Sequence, residues 1–218
     1  MKHYGYGEHI TRMINHIPYG EPFRTQDIAY HLAGKTGIPL ERAKTLTNNQ
    51  LKRISDKKQI ERLDKGVYFR AKQTPFGVLR PSTEQYAIQT LTQKDGKTVG
   101  YESGTGFLNR LALSTLIPKN IEIVTNVYRK KLPEDCHVTV RKPVLDITNK
   151  NYLYLQLLDA VNEMPKAHID ALNPEGILKN HAAQKGLDVL TLIVLARKYY
   201  SQKTLLQAID IFTGWQTK

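Results

Sequence analysis

The residue types best suited to chemistry lie in the stretch "ERAKTLTNNQLKR", Glu41 to Arg53. At the angular step of an α-helix, Leu40, Ala43, Thr47, Leu51 and Ile54 fall on one face. Arg42, Thr45, Asn48, Asn49, Lys52 and Arg53 fall on the opposite face. An Asn amide can pair with adenine through both its polar atoms, an Arg can do the same with guanine, and cations neutralise phosphates. Glu41 also projects outward, but at the helix start, where a carboxylate complements the dipole. Further cations follow around "DKG": Lys57, Lys58, Arg62, Lys65 and Arg70, with Lys65 at the expected hairpin tip. Arg24, Thr25 and Gln26 open the preceding helix, where unpaired backbone N–H groups suit a phosphate.

Other reactive types form no comparable pattern. "GYESGTGFLNR" (100–110) is a Gly-rich turn entering a helix, but it matches neither phosphate-loop spacing, and Ser103 is not centred in G-x-S-x-G. It reads as a tight strand-to-helix turn with Ser103 or Thr105 as cap. The seven histidines are dispersed, without H-E-x-x-H or cysteine partners, so neither a metal site nor a cofactor is expected. Cys136 and His137 are adjacent on an expected strand and so point to opposite faces. Asp135, Asp146, Asp159 and Asp170 make no compact carboxylate pattern. No catalytic residue is assigned, and the chain is not expected to be an enzyme.

The elements that must position the polar face read in order. "HITRMINHI" puts Ile10, Met13, Ile14 and Ile17 on one helical face, stopped by Pro18 and Gly20. A second helix in "FRTQDIAYHLAG" takes Thr25 as N-cap and Gly34 as its end. A third, from Pro39 to about Ser55, carries the polar face. "QIERLDKGVYF" alternates apolar and polar residues about Asp64-Lys65-Gly66, a hairpin signal. Three helices and a hairpin at these spacings predict a winged helix-turn-helix over residues 1–72. Residues 73–81 are the expected linker. Residues 82–218 are expected to form a mixed α/β domain, opened by an S-x-x-Q capping box at Ser82 and Gln85. Strands are expected at 98–101, 121–125 and 137–141. Helices are expected at 107–113, 152–164, 174–184, 187–200 and 204–212. The fold class is α+β.

Composition agrees with a polyanionic partner. The chain of 218 residues has a net charge of +12. Residues 1–72 carry 14 Lys+Arg against 7 Asp+Glu, and residues 73–218 carry 18 against 13, so the basic density lies in the first third. No window has the length and apolarity of a membrane span. The start lacks an apolar signal core. The single cysteine excludes an internal disulfide and fits a reducing cytoplasm.

"GYESGTGFLNRLALSTLIP", then "IEIVTN" and "HVTVRKP", together with "LKRISDKKQIERLDKGVYF", resemble the AbiEi antitoxin family of bacterial type IV toxin–antitoxin and abortive phage-infection systems. The resemblance covers most of residues 10–145. It implies a winged helix that represses its own operon at double-stranded inverted repeats. It also implies a second domain that counters a nucleotidyltransferase-like toxin, with or without direct contact. Two other readings stay open: an enzyme binding a nucleotide at the Gly100–Gly106 turn to modify a toxin or RNA, and a regulator whose second domain senses a ligand.

Overall fold

The computed structural model describes residues 5–132 and 136–214. The chain divides into two compact units, residues 1–97 and 98–218. The fold is mixed α+β.

In the first unit the order is α1 (Tyr6–Asn15), β1 (Pro22–Arg24), α2 (Thr25–Thr36), α3 (Leu40–Asp56), β2 (Ile60–Asp64) and β3 (Val67–Arg70). These are followed by β4 (Gln73–Thr74), β5 (Gly77–Val78), α4 (Thr83–Thr92), β6 (Gln93–Lys94) and β7 (Lys97–Thr98), at which the division falls. Periodicity makes the three helices: Ile10 and Ile14 of α1, Ile28, Ala29 and Leu32 of α2, and Ala43, Leu51 and Ile54 of α3 meet in one core with Phe23 and Ile60. Each large aliphatic side chain removed from water there contributes about 1.5–3 kcal/mol. β3 pairs antiparallel with both β1 and β2, so the hairpin is stitched to the chain entering α2.

Three expectations for this unit shift. α2 does not stop at Gly34 but runs to Thr36, and Gly37 ends it at φ 72°, donating its N–H to the Ala33 carbonyl at 2.8 Å. Glycine suits that left-handed position because it carries no Cβ. The N-cap of α2 is Arg24 rather than Thr25, which is the first helical residue. The expected linker folds back as the β4–β5 pair, and it and α4 group with the first unit. The Ser82 capping box forms as expected: the Ser82 Oγ accepts from the Gln85 N–H at 3.2 Å, and the Gln85 Oε1 accepts from the Ser82 N–H at 2.8 Å.

In the second unit β8 (Gly100–Ser103), α5 (Gly104–Arg110), β9 (Ile121–Thr125) and β10 (Val138–Arg141) precede the helices α6 (Tyr152–Glu163), α7 (Pro174–Gln184), α8 (Val189–Tyr199) and α9 (Gln202–Thr213). β9 is the central strand, antiparallel to β8 and parallel to β10. Phe107, Leu108, Leu157, Leu158, Leu178, Leu192 and Ile211 fill the helical core. Tyr101, Val124, Ile147 and Leu155 form a second cluster against the sheet. α5 starts before the expected 107–113 span and ends at Arg110, after which Ala112 takes φ 58°. Asp135 lies outside the described residues. Among those described, no helix is long and apolar enough to cross a membrane.

Candidate functional site

The outward face of α3 is built as the sequence implies. Ala43, Thr47, Leu51 and Ile54 are buried, while Arg42, Thr45, Asn48, Asn49, Lys52 and Arg53 are exposed. β3 holds the hairpin tip against the start of α2, because the Gly66 carbonyl accepts the Thr25 N–H at 2.9 Å. Three segments distant in sequence therefore converge. Arg24, Thr25, Gln26, Asn48 and Lys65 line one cleft of about 380 Å³ with Lys44 and Gly66. Gly66 turns the tip with φ 70°. Tyr86 of α4 braces its base by donating to the Asp64 carboxylate at 2.7 Å, and burial together with that bond raises the Tyr86 pKa.

Three cations, Arg24, Lys44 and Lys65, share this cleft. Lys44 was not singled out from sequence. It lies four residues before Asn48, so the helical repeat sets it on the cleft edge of the face. Its ammonium pairs with Glu41 at 2.7 Å, and this hydrogen bond raises its pKa. The Thr25 side chain is buried and its N–H is committed to Gly66, so Thr25 shapes the cleft rather than offering a donor.

The remaining expected residues disperse. At 3.6 residues per turn, Arg42, Asn49 and Arg53 lie around α3 from Lys44 and Asn48, and the Arg42 guanidinium stands 5.9 Å over the Tyr6 ring. Lys57 caps the C-terminal end of α3, and Lys58, at φ 56°, lines a separate cleft with Arg70. Arg62 is exposed on β2 and donates to the Asp64 carbonyl at 3.2 Å. Arg70, read from sequence as part of the basic wing, is an internal clamp. It donates to the Asn15 and Ile17 carbonyls at 2.8 and 2.6 Å and stacks 4.0 Å from the Tyr19 ring centre.

The second unit holds a polar cluster that sequence reasoning missed. Asp159, only 2% exposed, accepts from Arg141 at 2.8 Å, from the Tyr101 hydroxyl at 3.0 Å and from the Tyr200 hydroxyl at 2.7 Å. Ser103 starts α5 without capping it. Its Oγ instead accepts from Arg141 at 3.1 Å and lies 3.4 Å from Asp159. Burial, reinforced by the Asp159 charge, pushes both tyrosine pKa values up. Burial opposes the Arg141 charge, but Asp159 and Glu122 together outweigh it and raise its pKa. With Ser103 itself 1% exposed, this arrangement ties β8, β10, α6 and the end of α8 together and presents no nucleophile to solvent. The Gly100–Gly106 turn is likewise occupied. The Glu102 carboxylate pairs with Arg110 and lies where a Cβ on Gly106 would sit, 2.5 Å away, so a phosphate there would meet a like charge.

Among the described residues, no group of His, Cys, Asp and Glu is arranged to hold a metal ion. No curated protein matches the chain. A family model described as a family of unknown function, DUF6088, matches residues 40–177. The match begins at α3 and ends in α7, taking in the hairpin, the β8–β10 sheet and all of the Asp159 cluster but Tyr200. Since it spans more than half of the chain, the protein belongs to the DUF6088 family.

Proposed function

We propose that the first unit is a winged helix-turn-helix that binds double-stranded DNA, and that the chain is an autorepressor and antitoxin of a type IV toxin–antitoxin system. The observation that carries the DNA-binding part is the cleft in which the start of α2, the outward side of α3 and the hairpin tip meet with Arg24, Lys44 and Lys65. α3 supplies a base-reading group at the cleft in Asn48, with Asn49 and Arg53 further round its outward face, and Lys52 reaches phosphate. The hairpin is the wing, and Lys65 at its tip contacts backbone or minor groove. With Thr25 committed, the phosphate contact at α2 falls to the N–H groups of Gln26 and Asp27. The operon role, the inverted repeats and the nucleotidyltransferase-like toxin rest on the resemblance of the quoted segments to AbiEi antitoxins.

A mobility-shift titration against the DNA upstream of the chain's own reading frame tests the reading. Lys52→Ala and Arg53→Ala are each expected to weaken binding, Lys52→Ala equally on all sequences and Arg53→Ala most on the preferred one. No binding above that of unrelated DNA, or midpoints unchanged in both variants, overturns it. Co-expression with a neighbouring nucleotidyltransferase-like frame tests the antitoxin part. Growth is expected to be restored by the full chain and not by residues 1–97 alone.

A further inference from the structure

A third cavity in the first unit, of about 600 Å³, runs between α1 and α2. Met13, Ile17 and Ile28 form its floor and pack on the core below. Its rims are polar: His9, Arg12 and His16 repeat along α1, and Asp27, His31 and Lys35 along α2. These spacings of three and four residues keep each rim on one helical edge. The rims carry two permanent cations and three imidazoles against one carboxylate. That carboxylate, Asp27, already accepts the Gly96 N–H at 2.6 Å, and burial raises its pKa. Arg12 pairs with Glu8 at 3.4 Å, and both side chains are about half exposed, so this pair is a weak one.

An apolar floor with a guanidinium on one edge and an ammonium on the other selects one kind of small molecule. A neutral apolar body would leave the rims unanswered, and a bare inorganic anion would not cover the floor. We propose that the groove binds a small amphipathic organic acid, with an aromatic or aliphatic body on Met13, Ile17 and Ile28 and its acidic group between Arg12, His31 and Lys35. The ligand acts as an effector, a role that rests on the DNA-binding reading above. Asp27, His31 and Lys35 lie on one edge of α2 and Gln26 on the other, so α2 is the wall shared by this groove and the proposed DNA cleft. A ligand that sets the spacing of α1 and α2 thereby biases the position of α2's N-terminus on DNA.

The test uses the full chain and 8-anilinonaphthalene-1-sulfonate, an apolar ring system with one acidic group, followed by fluorescence. One equivalent is expected to bind, and benzoate is expected to displace it where benzyl alcohol and inorganic phosphate do not. Lys35→Glu, a change at an exposed position, and Met13→Glu are each expected to weaken binding about tenfold. The probe is also expected to shift the DNA midpoint of the unaltered chain and not that of Met13→Glu. Unchanged probe binding in both variants, or displacement by benzyl alcohol as readily as by benzoate, overturns the site. Intact DNA binding without groove binding sinks this inference alone. Groove binding without any DNA binding sinks the effector role and the DNA reading together, and leaves the site standing.

Discussion

Asp159 shows what a single side chain can decide. It is a buried carboxylate answered by Arg141 and two tyrosine hydroxyls, so removing it takes one of the guanidinium's two carboxylate partners, leaving Glu122, and the acceptor of both hydroxyls. Asp159→Ala is expected to destabilise the second unit by about 3 kcal/mol in urea unfolding, the low end for a broken buried pair, because Arg141 keeps Glu122 and some solvent. A loss near zero would mean the cluster is not closed in solution. Thr47 makes the opposite case. Its hydroxyl is buried in α3's packed face without a hydrogen-bond partner, so Thr47→Val, which keeps the shape, is expected to stabilise the first unit by about 1 kcal/mol. Asp159 was legible in principle: in "YLYLQLLDAVNEM" it is a carboxylate one helical turn after Leu155, between Leu158 and Ala160 on the apolar side of the helix. No pairing of carboxylates marks it in the sequence, because its partners are an arginine and hydroxyls from other elements. His9, His16 and His31 show the same limit, since residues dispersed in sequence share one groove once α1 and α2 pack.

At the scale of elements, the helices and strands were mostly readable because one face of each is buried and the repeat betrays it. α3, with Ala43, Thr47, Leu51 and Ile54 inward, is the clearest example. Ends were harder, because each depends on a local competition among caps. Gly34 sits mid-helix where a stop was expected, since Gly37 three residues later offers the left-handed position that closes the last turn. α8 begins at Val189 rather than Leu187 because Asp188 caps it, accepting from the Thr191 N–H at 2.7 Å and the Thr191 hydroxyl at 2.6 Å. Those bonds hold the Asp188 pKa below its ordinary value. A depressed folded-state pKa means that the cap's contribution is full above the unfolded value, near 3.9, and is lost as pH falls through the folded one. Asp188→Ala is therefore expected to lower the Tm at pH 7, with the gap from the unaltered chain closing toward pH 3. A gap constant with pH would show that the carboxylate is not what starts α8.

For the whole molecule, the concentration of cations in the first third of the sequence was visible from composition, but their assembly was not. Arg70 counted as charge and proved to be a clamp, whereas Lys44 was passed over and lines the cleft. The division also moved, because α4 is tied to the hairpin through Tyr86 and Asp64, and the segment leading into α4 through the Arg80–Glu61 pair at 3.3 Å. A fragment of residues 1–97 is accordingly expected to melt cooperatively at a higher temperature than one of residues 1–72. Equal melting temperatures would detach α4 from the first unit. The most direct test of the DNA-binding claim is the slope of log K against log salt for the full chain on its upstream DNA, compared with a variant carrying Arg24→Ala, Lys44→Ala and Lys65→Ala. Each lost phosphate contact is worth a slope change of about 0.9, so the variant's slope is expected to be shallower by about 2–3 with the fold intact by circular dichroism. A variant whose slope and midpoint match those of the unaltered chain would contradict the assignment of this cleft to DNA.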